Sequence, residues 1–320
     1  MTTKTTCPYC GEAVSEPSAD HVIPQFLGGK KKILACRSCN NGFGHTIEAA
    51  ASEALKQIML VLRTCGVPMH RDIRWRNVPY GPNKELYNVD QDMNLEQVKP
   101  ELRRDEDGRI VSGVGSLLQM QQLQRSLEGD GLKTMLAPVE SPLVHLSLEK
   151  VRVEFDDDLK RLAIKMATAL CAVFDQADPL DLRAKTYLLT GEALGGFRPV
   201  RAAYDDYSEL DQIRPKAGHL VFVRGSPGDR CMYAVVQLFT AIQFFCELHN
   251  DYAGPDVCFV ATYDPIIQTE QFKRIPIMNF LRPPWWSTVG TFVSNAAPRW
   301  RKFEREVVQL VGKMASRSQP

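Results

Sequence analysis

A chain of 320 residues with 44% apolar content can bury more than one core, and a formal net charge of +1 gives the molecule as a whole no pull on polyanions. No run approaches the roughly eighteen apolar residues of a membrane span, and no charged-then-apolar leader opens the sequence, so the expected setting is cytoplasmic with no membrane partner. Nine cysteines, an odd number, argue against a complete disulfide framework and for a reducing compartment.

Four of those cysteines form two pairs near the start, Cys7-Pro-Tyr-Cys10 and Cys36-Arg-Ser-Cys39. Two cysteines separated by two residues sit at the mouth of a tight turn, so both sulfurs reach one ion, and two such knuckles complete a tetrahedral S4 shell. An ion bound by four thiolates has no open position, so Zn2+ here is expected to be structural. The 25 residues between Cys10 and Cys36 leave room for a hairpin or loop, and that insert carries Asp20-His21-Val22-Ile23-Pro24. Asp20 offers a hard carboxylate oxygen suited to Mg2+ or Mn2+. Asn40, Asn41 and His45, just after the last cysteine, add oxygen and nitrogen donors. His21, beside Asp20, is placed to act as a base.

Cys7 and Cys10, Asp20-His21-Val22-Ile23-Pro24, Leu27-Gly28-Gly29 and Cys36-x-x-Cys39-Asn40-Asn41-x-x-Gly44 together resemble the HNH endonucleases. The likeness covers the first fifty to sixty-five residues or so. It implies a zinc-stapled ββα-metal module in which Asp20 is a metal ligand, His21 the general base, Asn40 the second protein ligand and His45 a third. One feature departs from the family. The middle asparagine of its name, which orients the histidine through the backbone, falls where this chain has Lys31 in the run Lys30-Lys31-Lys32. Its absence bears on how His21 is positioned. Lys30, Lys31, Lys32 and Arg37 are the candidate nucleic-acid contacts, as cations for phosphate oxygens.

The implied reaction is hydrolysis of a phosphodiester. An imidazole with an ordinary pKa near ~6.5 takes the proton of the attacking water, and a divalent ion relieves charge on the phosphate and the departing oxygen. One such site cuts one strand. Cutting a duplex through would need a homodimer, a second visit or a partner subunit.

The first long helix is read from Ile47, Ala51, Ala54, Leu55, Ile58, Val61, Leu62 and Cys65, which recur at three- and four-residue steps up to Gly66 and Pro68. It closes a first domain, 1–65, as a docking helix, with Cys65 a packed thiol and Glu48, like His45, either a further site residue or part of the solvated helix face. Residues 70–142 are rich in turn signals, with short strands expected at Ile73–Val78 and Arg109–Ser112 and a polar helix at Ser116–Leu127. Acidic residues cluster in 85–107, whereas basic ones collect in the last fifty.

Val151, Val153 and Phe155 alternate with polar residues as a half-buried strand, and three aspartates at 156–158 then start a helix. Its stripe is Leu159, Leu162, Ala163, Met166, Leu170, Val173 and Phe174, with Lys160, Arg161 and Lys165 off it. From Gly218 on, strands at His219–Arg224, Met232–Gln237, Ala241–Glu247 and Val257–Tyr263 read as an antiparallel meander. Trp300, Phe303, Val307, Leu310 and Met314 make one face of a terminal basic helix, and Trp285 and Trp286 are read as core or interface residues. His70, His145, His219 and His249 are dispersed and are read as surface or strand-end residues, not ligands.

The fold class is therefore α+β: the zinc-stapled module, then a larger α+β domain over 66–320 with an antiparallel sheet, its role one of substrate selection or regulation. The expected activity is metal-dependent endonuclease cleavage of DNA, with RNA not excluded. The competing expectation is an inactive, zinc-stabilised nucleic-acid-binding or regulatory protein.

Overall fold

A computed structural model describes residues 6–64, 66–68, 74–80, 84–90, 94–129, 134–137, 156–202, 208–277, 301–303 and 305–309. The strand read at Val151–Phe155, Cys65, His70, His145, Trp285, Trp286, Trp300, Leu310 and Met314 lie outside the described residues. The architecture is α+β with antiparallel sheets. The chain forms two compact units, one from 1–55, 65–70 and 152–320, the other from 56–64 and 71–151. Among the described residues no helix is long and apolar enough to cross a membrane.

The first unit begins with the knuckle Cys7–Cys10 and the ribbon β1 (Pro17–His21) and β2 (Lys32–Cys36), paired antiparallel with Asp20 opposite Ile33 and His21 opposite Lys32. Cys36 caps the helix that follows, its sulfur accepting from the Cys39 N–H. α1 (Arg37–Phe43) then runs through a π-helical stretch, Gly44–Glu48, into α2 (Ala49–Thr64). The segment between the strands closes with a 3-10 turn, Gln25–Leu27, and two glycines that admit no side chain. Gly28 has φ of 96°, and a Cβ there would lie 2.3 Å from the Tyr263 ring. At Gly29 a Cβ would meet the Ile23 carbonyl oxygen at 1.6 Å.

The large sheet of this unit has the order β13-β12-β9-β10-β11-β8. Its strands are β8 (Val200–Ala202), β9 (His219–Ser226), β10 (Cys231–Leu238), β11 (Ile242–His249), β12 (Val257–Asp264) and β13 (Thr269–Arg274). The simple meander expected from the turns is corrected in one respect. β8 pairs with β11 and takes that edge, so β12 crosses back to pair with β9. Both faces of β9 and β10 are buried, which is why these strands read as near-continuous apolar runs. Leu220, Phe222, Tyr233, Val235, Phe245 and Val260 form a core cluster that includes Leu210 of the short helix Ser208–Ile213.

α4 (Asp157–Val173) packs on this sheet. Asp156 caps it, accepting from the Leu159 N–H at 2.8 Å, so the aspartate run is a helix start, as the sequence suggests. Phe174 at its end stacks on Phe259 with centroids 4.6 Å apart. The opposite side of α4 meets β2 and the π-helical stretch, so the helix is buried nearly all round. α5 (Leu182–Thr190) follows, capped by Asp181. Near the end of the chain, Phe303 and Val307 are buried, and Glu306 accepts from Arg214, the Thr240 hydroxyl and the Ala217 N–H.

His219 at the start of β9 is wholly buried between aromatic rings, stacked on Tyr263 and edge-on to Phe239. Its Nδ1 accepts from the Phe239 N–H at 3.4 Å. Burial pushes its imidazole down to about 3. The unfolded chain takes up this proton below about pH 6.5 and the folded chain does not until far lower, so folding stability falls as pH drops through that window. Denaturant titrations from pH 7 to 4 are expected to lose up to about 1.4 kcal/mol per pH unit through this group. His219→Gln should show a shallower slope, and an unchanged slope would remove His219 as the cause.

The second unit carries a three-stranded sheet of β3 (Trp75–Tyr80), β4 (Glu85–Val89) and β5 (Leu95–Gln97) and a hairpin of β6 (Glu101–Arg104) and β7 (Ile110–Val114). In the hairpin turn Asp105 accepts from the N–H groups of Asp107 and Arg109. α3 (Leu117–Gly129) starts with a reciprocal box: Ser116 N–H donates to Gln119 Oε1, and Gln119 N–H to Ser116 Oγ. The two strands and the polar helix expected in this region are thus present, with β3 reaching to Tyr80.

Candidate active site and zinc cluster

The four knuckle cysteines converge, with all four sulfurs within 4.8 Å of one another and Cys10 to Cys36 at 3.9 Å. A tetrahedral Zn–S bond of about 2.3 Å sets sulfur–sulfur edges near ~3.8 Å, so the cluster fits a structural zinc with little contraction. The crowding already perturbs the thiols. Cys7 is drawn down to about 4, chiefly by its hydrogen bond with Cys39, and Cys39 is pushed far up by the same contact. Among the described residues this is the one group of three or more His, Cys, Asp or Glu side chains arranged to hold a metal ion.

Tyr9, between the first two cysteines, is fully buried and edge-on to Phe43 at 5.0 Å. Its hydroxyl donates to Asp20 Oδ2 at 2.6 Å. Burial first, then the charge of Asp20, raises the phenol well above its ordinary range, which keeps it a donor. The other oxygen, Oδ1, accepts from Lys165 Nζ at 2.8 Å. Lys165, in the middle of α4, also lies 2.8 Å from Glu48 Oε1 and 3.3 Å from the His21 carbonyl oxygen. Asp20 is 2% exposed and Lys165 0%.

Successive residues of a strand face opposite sides, and here Asp20 is buried on the helix side while His21 is half-buried. The His21 pKa is lowered by burial and next by Lys32, its partner across the ribbon. Asp20 and Glu48 act in the opposite direction, so the imidazole stays within electrostatic reach of the carboxylates. The result is a neutral imidazole at pH 7, the form a general base requires.

Asn40 is held by its amide nitrogen, which donates to Ser18 Oγ at 2.7 Å and to the Ala19 carbonyl at 3.1 Å. His45 is exposed on the π-helical stretch. Of the basic residues, Lys30 donates to the Gln268 carbonyl at 2.8 Å and the Lys31 N–H to Glu270 at 2.7 Å, so this loop docks on the β12–β13 turn. Lys32 is exposed opposite His21. Arg37 makes a solvent-exposed pair with Glu16 at 3.5 Å, a contact worth little to stability. Lys31, Lys32 and Lys185 line one cleft of about 510 Å³, together with Asp175 and Asp178.

The divalent ion implied at Asp20, Asn40 and His45 does not fit this arrangement. Both Asp20 oxygens are engaged, one by the Tyr9 hydroxyl and one by the buried Lys165 ammonium, and His45 is exposed. What gathers instead is Asp20, Glu48, Lys165 and Tyr9 around the backbone of His21. Lys165 carries no local sequence signal, because a lysine off an apolar stripe reads as solvated. Glu48 reads only as a weaker candidate or a solvated face.

Residues 7–56 match the family model described as HNH endonuclease. No curated protein and no solved structure matches the chain.

Proposed function

We propose that this chain is an endonuclease that hydrolyses phosphodiester bonds of nucleic acid, DNA foremost, with His21 as general base. The observation that carries the reading is a half-buried imidazole at the end of β1, on a two-stranded ribbon that leads into α1, in the segment that matches the HNH model. His21 takes a proton from water as the water oxygen attacks phosphorus, the phosphorus–oxygen bond to the leaving oxygen breaks, and that oxygen takes up a proton from solvent. Lys32, exposed opposite His21, is the cation best placed to meet a phosphate oxygen. Lys31 and Lys185 extend the positive lining along the cleft. The ion implied at Asp20 is assigned no step, since the Lys165 ammonium stands there. The thiol-rich zinc cluster suits a reducing compartment such as the cytoplasm.

Zinc-loaded protein incubated with supercoiled plasmid is expected to give open circles, with RNA as the parallel substrate and Mg2+ or Mn2+ present or left out. A site of this kind nicks, and linear product at low enzyme would call for a homodimer. Protein that binds nucleic acid in a salt-dependent way but cuts neither substrate under any of these conditions would replace the nuclease with a binding module.

A further inference from the structure

Lys165 is separated from Asp20 by 145 residues, yet its ammonium finds three oxygen acceptors in the amino-terminal module. Asp20 Oδ1 and Glu48 Oε1 at 2.8 Å and the His21 carbonyl at 3.3 Å match the three N–H bonds of a lysine ammonium. The Tyr9 ring lies below it, 5.9 Å from Nζ. Two carboxylates and a carbonyl are also what a hard cation selects. A buried ion triad of this kind is weak evidence for stability, because desolvation offsets most of its attraction. Its plain consequence is geometric: it fixes three groups of the module against α4, and one of them is the backbone of His21. The ribbon itself lacks the asparagine that orients the histidine in the family it resembles, with Lys31 in that place.

We propose that Lys165 is the resident cation of this site: its ammonium takes the place at Asp20 and Glu48 that a divalent ion would need, and through the His21 carbonyl it positions the imidazole. Lys165 is a positioning residue, acting through His21. The positioning role rests on the nuclease reading, whereas the placement of the cation does not.

The test is a Mn2+ titration of zinc-loaded protein followed by electron paramagnetic resonance, on wild type, Lys165→Met, Glu48→Gln and the Lys165→Met/Glu48→Gln double variant. Lys165→Met is expected to gain a Mn2+ site at least about tenfold tighter than any in wild type, and the double variant to lose it. Wild type and Glu48→Gln should give the same curve. Histidine side-chain NMR supplies the second readout: the His21 imidazole resonances, assigned by their loss in His21→Ala, should move in Lys165→Met while those of His219 stay.

A folded Lys165→Met that binds Mn2+ no better than wild type overturns the assignment, as does a wild-type site that disappears in Glu48→Gln. Unmoved His21 resonances overturn the positioning role. Should Lys165→Met fail to retain zinc or fold, wild type against Glu48→Gln decides alone, because Glu48 is 22% exposed and its amide keeps the shape. The two readings fail separately. Protein that cuts nothing but shows this Mn2+ pattern loses the nuclease and keeps the cation, and protein that cuts with a Glu48-dependent Mn2+ site does the reverse.

Discussion

His21→Ala is expected to lower the rate of phosphodiester cleavage by about two to four orders of magnitude, the usual contribution of a positioned general base. The fold should be unaffected. His21 sits at the end of β1, half-buried, and the contact that ties it to α4 is made by its backbone carbonyl, which alanine keeps. Zinc content and the thermal transition therefore serve as controls. The pH dependence has a fixed sign: burial and Lys32 lower the imidazole pKa below its ordinary 6.5, so the base form already prevails at pH 7. Cleavage should be flat across neutral pH and fall only in acid, as the imidazole takes up a proton. A variant that retains wild-type cleavage would assign the base to another group. Lys32→Ala, by contrast, should weaken binding more than turnover, because it meets phosphate and not the proton.

Removal of the zinc should have the largest effect on structure. Cys39→Ser, or a chelator strong enough to strip an S4 site, is expected to release the ion and lower the first thermal transition by more than about 10 °C. Structural zinc contributes on the order of 10 kcal/mol in small domains, comparable with the whole net stability of most folds. The reason it matters here is specific. The Cys7–Cys10 turn carries Tyr9 against Asp20, and Cys36 caps the helix that carries Asn40 and leads to Glu48. Without the ion the two halves of the site keep the two-stranded ribbon, which is marginal by itself, and the side-chain contacts of Asn40 and Lys165 across it. Cleavage should vanish together with zinc and return on reloading. Full activity in protein shown to be zinc-free would mean that the cysteines serve something else.

Much of this was legible in the sequence because it is local. Two C-x2-C turns bring their sulfurs together through a few dihedral angles each, and Leu27-Gly28-Gly29 marks a turn where a Cβ would strike Ile23 or Tyr263. The aspartates at 156–158 and the Ser116–Gln119 box announce helix starts within four residues. The strands of the large sheet follow from runs of apolar residues between turn signals. Their order does not, because a turn says which strands follow one another and not which edge is free. β8 takes the edge beside β11, and β12 goes to β9.

The site divides along the same line. Its candidate residues within the module, Asp20, His21, Asn40 and the four cysteines, stand out by spacing, whereas Tyr9 looks like knuckle filler and Glu48 reads only as a weaker candidate or a solvated face. The π-helical stretch Gly44–Glu48 explains part of that miss, since it breaks the 3.6-residue period from which helix faces are read.

By itself, then, the sequence determined the four-cysteine cluster, the ribbon-and-helix module, the capped core helix and the strands of the sheet. All of these depend on torsions and periodicities within short spans of chain. Only the tertiary structure decided what faces Asp20. α4 is covered by the sheet on one side and by the module on the other, and this turns Lys165 from a surface lysine into a buried ammonium between two carboxylates. Burial of a charge is set by what packs over it, and here the module residues that meet the ammonium lie more than a hundred positions away in the chain.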